Sequence, residues 1–456
     1  MNLVSIAWKS VRQRALASWL TALSVALGVT LMVAVLVING VVDRLFNQSA
    51  TTYHLVVGAK GSPLQLVLNT VYHLSTPVEN IPYTYYKRLK NDPRLEEVIP
   101  IAAGDSTQEG GFRIVGTIPH FFDLEYVPGR EFLVRGNFLR GDWDAVIGSQ
   151  VARQNGWGLG HEFQPVHGVG ESDHHHEEKF KVVGILAPTG TPNDKVVFIH
   201  LDGFYQIAGH EKPAEEASAR AESFSAVEKA GRVKAAAAPV EKKAPGDGLA
   251  PPAKKAAAHD HHDHAGHHHH ELPDEQKEVT ALLVRAKHVT LAIRMKTEIN
   301  EGPYAQAANP AEQIGWLMSN VLGNVRMLLV ILTGLIIVVS GVSIFVSIYN
   351  TMADRRREIA VMRALGARRT TVFALILTES VLLCVGGGLL GLLLGHGLVL
   401  AAGPFVELRS GILIDPFAFE PIELVLLPVL ILLAAAIGVV PGMTAYRTDV
   451  GRTLAS

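Results

Sequence analysis

Residues 327-MLLVILTGLIIVVSGVSIFVSIY-349 carry no charged side chain and run straight into 350-NTMADRRREIAVMRALGARR-369, where charge is crowded. About 20 mostly apolar residues are enough to cross a bilayer as a helix. A span that ends on a cluster of arginines also reports its orientation, because cytoplasmic loops are enriched in Lys and Arg. Working outward, three more stretches meet the length criterion: Leu20–Val42, Val372–Leu400 and Leu424–Tyr446. The pattern predicts four transmembrane helices at 20–42, 326–349, 372–400 and 424–446. Positions 1–19 read as an amphipathic N-terminal helix, 350–371 as a loop, 401–423 as a second short loop and 447–456 as a tail.

The basic residues agree on one topology. Lys9, Arg12 and Arg14 precede the first span, six arginines from Arg355 to Arg369 lie between the second and third, and Arg447 and Arg452 follow the fourth. The loop between the third and fourth spans has only Arg409. With four spans, the three basic segments share one side. Both termini and the 350–371 loop are therefore expected in the cytoplasm, with 43–325 outside. The first stretch exceeds a signal-peptide core, and Asn39, Asp43 and Arg44 stand at its end in place of a small-residue cleavage site, so it reads as a retained helix.

Composition supports this division. The 456 residues are 48% apolar and 18% charged, below the ~25% charge of a typical soluble domain, and the mean hydropathy is positive. A length of this order allows about three modules. A net charge of −2 excludes a broadly basic nucleic-acid binder. The single cysteine, Cys384, excludes an intrachain disulfide framework and a Cys-rich zinc module. Twenty histidines are the outlying figure.

From Val56 to Ile207, short apolar runs alternate with turn residues. Strands are expected at 112-FRIVGTI-118, 145-AVIG-148, 180-FKVVGIL-186 and 196-VVFIHL-201, and a helix at Tyr83–Leu89. Strand character returns at 279-VTALLVRA-286, and a helical stretch leads from Ile314 toward the second span. The fold class is thus a polytopic α-helical membrane protein with an α+β extracytoplasmic domain inserted between helices 1 and 2. Positions 211–277 interrupt that domain with AAAAPVEKKAPGDGLAPPAKKAAA and a His-rich tract. With no apolar period and little to bury, this segment reads as a disordered insert.

This order of one span, a large external domain, then three spans resembles the FtsX-like, MacB-type permeases of ABC transporters. The resemblance covers nearly the whole chain: 7-AWKSVRQRALASWLTALSVALGV-29, 128-PGREF-132, 145-AVIGSQVARQNGWGLGHEF-163, 180-FKVVGILAPTG-190 and above all 354-DRRREIAVMRALGARRTTVF-373. In the last, the family's coupling pattern Glu-x-x-x-x-Arg-Ala-x-Gly-Ala stands as Glu358, Arg363, Ala364, Gly366 and Ala367. The resemblance implies that this segment, with Arg356, Arg357, Ile359 and Met362, engages an ATPase subunit. The residues fit the role: Ile359, Val361, Met362 and Leu365 offer a short helix an apolar face for a partner's groove. Charges around it set register, and Gly366 lets the chain turn back. The arginines also serve as topology markers.

No Gly-x-x-x-x-Gly-Lys-Ser/Thr loop occurs, so no phosphate-binding loop of that type is present here. The resemblance then implies a non-catalytic permease with ATP and Mg²⁺ on a separate ABC ATPase, in a split arrangement. It also implies a second permease copy, as homo- or heterodimer, and a bacterial cytoplasmic membrane. Gly387, Gly391 and Gly395 clear one face of the third span. Local helix packing is the favoured reading over a dimer seam. Glu379 lies in the same apolar run, where a carboxylate is costly, and either snorkels or serves an interior role.

Fifteen of the 20 histidines fall between His161 and His270. His174, His175 and His176 form one cluster, at the expected tip of a hairpin. His259, His261, His262, His264, His267, His268, His269 and His270, interleaved with Asp260 and Asp263, form the other. Imidazoles and carboxylates at flexible spacing suit Zn²⁺ or another transition metal. A solvated tract without a cellular metal role is the competing reading. His161 stands where the family often has an acidic residue, while His54, His73, His120 and His288 read as ordinary domain residues. Three functions follow: a permease moving lipoprotein, peptide, lipid or metal-related cargo; a signalling scaffold that activates an external partner; and a membrane-anchored metal buffer.

Overall fold

The computed structural model describes residues 3–13, 15–50, 52–77, 79–167, 178–207, 216, 219, 272–410 and 423–447. They divide into two units, Met1–Gln48 with Ile314–Ser456, and Ser49–Gln313.

The first unit is helical. Helix α1 (Leu3–Gln13) is followed by α2 (Ala15–Ala50). Among the described residues four helices are long and apolar enough to cross a membrane, with the apolar stretch of the first at Ser18–Val41. Along α2, Val25, Val29, Val33, Val37 and Val41 recur every four residues and are all buried. They form the spine of a core that also takes in Ile376, Cys384, Leu430 and Ala434.

The second unit opens with β1 (Leu55–Ala59), α3 (Pro63–Thr70), β2 (Ile81–Pro82), α4 (Tyr83–Lys90), β3 (Leu95–Thr107) and β4 (Arg113–Thr117). Strands β5 (Glu125–Val127), β6 (Arg130–Glu131), β7 (Val134–Gly136) and β8 (Asp144–Ile147) follow. Next come α5 (Ser149–Asn155), β9 (Glu162–Phe163), β10 (Pro165–His167), β11 (Phe180–Leu186), β12 (Val196–His200) and α6 (Leu201–Gln206). After Leu272 come β13 (Glu278–Val279), β14 (Ala281–Ala286), α7 (Val289–Glu301) and β15 (Ala305–Ala308).

The main sheet runs β15-β1-β14-β3-β4-β12-β8-β11-β7. Its hinge is β3, whose register shifts between Ala103 and Ser106. The first half of β3 pairs with β14, Val98 facing Val284, and its second half pairs with β4 and β10. A register shift of this kind bends a strand, and a separate core lies on each side of it. One gathers Leu55, Ile81, Tyr86, Val98 and Leu282 under α4 and α7. The other gathers Ile114, Ile147, Phe180, Ile199 and Phe204 under α5 and α6. Pairing is antiparallel except β12 with β4 and β11 with β8.

The expected strands and the helix from Tyr83 are present, and α4 runs one residue further, to Lys90. Two boundaries differ. The expected insert boundary at 277 lies inside the packed chain: Leu272 packs on the second core, and Lys277 lies over the Tyr83 and Tyr205 rings at 5.7 and 5.5 Å. The described chain before and after this segment comes together there, since the Tyr205 hydroxyl donates to the Glu278 carbonyl at 2.8 Å. The segment 350–371 is also mostly helix rather than loop, as the next elements show.

Helix α8 (Pro310–Leu317) passes through a π-helical turn, Met318–Leu322, into α9 (Gly323–Ala364). Helix α9 continues unbroken through the arginine cluster, because nothing between Gly341 and Leu365 interrupts a helix and the cluster is rich in Arg, Glu, Ala and Met, all good helix formers. Then come α10 (Arg369–Ser410) and α11 (Glu423–Arg447). Helix α10 outruns the expected 372–400 at both ends, passing through Pro404.

Candidate functional site

The turn from α9 to α10 is the piece with a defined construction. Helix α9 ends in a Schellman cap. The Ala367 amide donates to the Met362 carbonyl at 3.0 Å, and the Gly366 amide donates to the Arg363 carbonyl at 3.1 Å. Gly366 adopts φ +100°, a conformation that costs side-chain-bearing residues energy and glycine none. The Ala-x-Gly-Ala punctuation is therefore a helix stop: Gly366 supplies the left-handed residue and Ala367 the closing amide. Helix α10 restarts with the Thr371 and Val372 amides donating to the Arg368 carbonyl.

The apolar residues of this segment do not share one face, as the sequence suggested. Ile359 is 3% exposed and belongs to the helical core with Val372 and Ile376, and Met362 packs against that core. Val361 and Leu365, one turn apart, point the other way, 45% and 84% exposed. Residues i and i+4 lie on one helix face while i and i+1 do not, so the four split into an anchoring pair and an outward pair. Ala364 is exposed and Arg363 half-buried. Arg356, Arg357 and Glu358 lie on α9, but their side chains fall outside the described residues. The Arg369 guanidinium lies 5.9 Å from the Tyr446 ring centre, tying the start of α10 to the end of α11.

Gly387, Gly391 and Gly395 lie against α2. Cβ atoms built on them would stand 2.9, 2.6 and 2.8 Å from the Cβ atoms of Val25, Val29 and Val33. The Thr30 hydroxyl donates to the Gly391 carbonyl at 3.1 Å. The glycine row and the valine row share a four-residue period, which was legible in the first helix but carried no functional signal there. Glu379 lies inside the unit, 7% exposed, and accepts from the Ser10 hydroxyl of α1 at 3.2 Å.

In the α/β unit, both histidine clusters, His174–His176 and His259–His270, lie outside the described residues. His161 stacks on Trp157 at 4.7 Å. His54 Nδ1 accepts from the Ala286 amide at 3.0 Å. His120 bridges Glu97 at 2.8 Å and Asp123 at 2.9 Å, and these carboxylates push its pKa up. His73 faces Asn193 at 3.1 Å, with burial pushing its pKa down to about 4. A triad that sequence reading missed, Asp142, His200 and Asp202, brings three potential ligand atoms within 4.8 Å of one another.

Two family models match the chain: one described as the MacB-like periplasmic core domain over residues 18–240, the other as the FtsX-like permease C-terminal over residues 330–449. The chain is 28% identical over 183 residues to the macrolide export ATP-binding/permease protein MacB of Rhodopirellula baltica, covering 38% of this chain and 25% of that protein. It is 34% identical over 137 residues to MacB of Bordetella avium, covering 28% and 19%. It is 34% identical over 85 residues to an uncharacterized ABC transporter permease of Methanocaldococcus jannaschii, covering 19% and 21%. The matches thus span a quarter or less of these curated relatives. A crystal structure of the periplasmic region of MacB from Actinobacillus actinomycetemcomitans matches with a TM-score of 0.31 and 9% identity, covering 61% of this chain and 96% of that one. With its periplasmic core and permease segments both matched, the chain belongs to the FtsX-like, MacB-type family of ABC transporter permeases.

Proposed function

We propose that this chain is the non-catalytic permease subunit of an ABC transporter, passing ATP-driven motion from a separate ATPase subunit to its own extracytoplasmic α/β unit. The observation that carries the reading is the outward pair Val361 and Leu365 at a rigidly capped helix end. An apolar pair held on a helix whose other face is locked into the core suits docking in a partner's groove, and a push there reaches α9 and α10 together. The arginines flanking it, with those before α2 and after α11, favour a cytoplasmic location for the turn and both termini. The Ser49–Gln313 unit, lying in sequence between the first and second long helices, then faces outward from a bacterial cytoplasmic membrane.

The resemblance implies a second permease copy. Helix α9 suits that partner, since its apolar stretch is the least buried of the four, leaving Met327, Leu328, Ile331 and Leu335 exposed. The cargo class includes lipoproteins, peptides, lipids and metal-related molecules, and the histidine clusters favour the last by their chemistry.

Replacing both Val361 and Leu365 by glutamate in the full-length chain tests the proposal. The expected result is loss of ATPase co-purification with unchanged thermal stability. Undiminished co-purification would refute it. A signalling scaffold shares the coupling turn but would capture an extracytoplasmic hydrolase rather than cargo in pull-downs.

A further inference from the structure

Helices α1, α2 and α10 enclose a groove away from the coupling turn. Trp8, Val11, Arg12 and Ala15 follow one another at i, i+3, i+4 and i+7, and Ser18, Trp19 and Ala22 carry the same spacing on from Ala15. Across from them, Leu382, Gly386 and Leu390 stand four residues apart on α10. The space between is open, mostly apolar and about 370 Å³, within the roughly 300–1,000 Å³ of small-molecule sites. It lies between packed helices, not beside a loose one. The inner face of α1 is fixed by Ala7, which is fully buried, and by the Ser10 hydroxyl donating to Glu379 of α10 at 3.2 Å.

Gly386 has no packing role. A Cβ on Gly387 would meet the Ala22 carbonyl oxygen at 2.7 Å, and one on Gly388 would meet Leu430 Cδ1 at 2.5 Å. A Cβ on Gly386 would meet nothing within 4 Å. Glycine weakens a helix, and what its missing side chain leaves open here is the groove.

Charge identifies the occupant. Arg12 is exposed, and among the described residues no carboxylate pairs with it. Lys9 stands three residues away on the same helix, and no Asp or Glu precedes Asp43 in the chain. A cationic end above an apolar trough matches a lipid phosphate with its acyl chain. Trp8 and Trp19 are 57% and 61% exposed, as suits indoles at the headgroup level of a bilayer. From Leu382 to Leu390, α10 rises about 12 Å at ~1.5 Å per residue, most of the roughly 15 Å that one leaflet contributes to a ~30 Å hydrocarbon core.

We infer that this groove binds one anionic phospholipid, with its phosphate on Arg12 and an acyl chain over Gly386 between α2 and α10. The site requires only that the helical unit lie in a membrane, so it stands apart from the ATPase-docking reading.

The test titrates the full-length chain, delipidated in detergent, with dioleoyl phosphatidylglycerol or dioleoyl phosphatidylcholine and counts bound lipid by native mass spectrometry. The inference expects one phosphatidylglycerol per chain, held at least tenfold more tightly than phosphatidylcholine. Arg12→Gln is expected to weaken phosphatidylglycerol about fivefold, the effect of one basic residue near a lipid surface, and to leave phosphatidylcholine unchanged. Gly386→Leu fills the groove without touching a neighbouring helix and is expected to weaken both lipids at least tenfold, with the unfolding temperature unchanged or raised. Arg12 is exposed, so its variant keeps the test decisive if Gly386→Leu misfolds. Equal affinity of the parent chain for the two lipids, or phosphatidylglycerol binding unchanged in Arg12→Gln, overturns the inference.

Discussion

Gly391 touches Val29: a Cβ on the glycine would lie 2.6 Å from the valine Cβ and 2.6 Å from the Ala26 carbonyl oxygen. Neither neighbour is the far end of a flexible chain, so neither can swing aside. A valine ridge on α2 fits a glycine groove on α10, and close approach of this kind is what small residues provide between membrane helices. Gly391→Ala is expected to destabilise the helical unit by about 1–3 kcal/mol through overpacking. Gly397, whose Cβ would meet nothing within 4 Å, is the control. Gly397→Ala should be neutral or mildly stabilising, since alanine favours helix by about 1 kcal/mol over glycine. Thermal unfolding of the full chain in detergent reads both.

Asp194 organises the loop between β11 and β12. It is 1% exposed, and its two oxygens accept from the Thr189 amide and hydroxyl and from the Gly190 amide at 2.8 to 3.1 Å. Burial pushes its pKa up although these donors pull it down. Asp194→Ala strands those donors and is expected to cost about 2–4 kcal/mol, read as a lowered unfolding temperature.

Two histidines of the α/β unit bend the stability profile in opposite directions. His73 has a folded pKa of about 4, below its ordinary 6.5. The unfolded chain takes up a proton first, so the stability contribution of His73 is full above 6.5 and falls as pH drops toward 4. For His120 the folded pKa lies above 6.5, its contribution complete below 6.5 and lost as pH rises through the folded value. Unfolding measured across this range should lose part of its acid-side slope in His73→Ala and part of its alkaline-side slope in His120→Ala.

The proposed topology places Arg368 in the cytoplasm and Glu131 outside, and both are exposed. Cysteine at 131 is expected to react with a membrane-impermeant maleimide in intact spheroplasts, and cysteine at 368 only after lysis. The native Cys384 is buried and supplies little background.

The spans were legible because length and apolarity suffice to define them, but their ends were not. Helix α9 passes through 354-DRRREIAVMRA-364 because charge does not stop a helix, whereas Gly366 does. The split of Ile359 and Met362 from Val361 and Leu365 was hidden for the same reason, since a short apolar patch shows its faces only once the helix phase is known. Strand β3 escaped notice because Pro100, Gly104 and Asp105 break its pattern, although its bend joins two cores. Asp142 and His200 lie in different elements, and Gly203 brings them together, a close approach that spacing alone does not reveal. The histidine clusters are compositional features that lie outside the described residues, and a metal role for them is a proposal drawn from their chemistry.

The claim that α9 ends in a docking surface for an ATPase is tested most directly by photocrosslinking in the full-length chain. A photoreactive residue placed at Leu365 is expected to trap an ATP-binding subunit, while the same residue at Ile359, held inside the helical core, should trap none. Equal crosslinking from both positions, or capture of no ATP-binding chain from Leu365, contradicts the account.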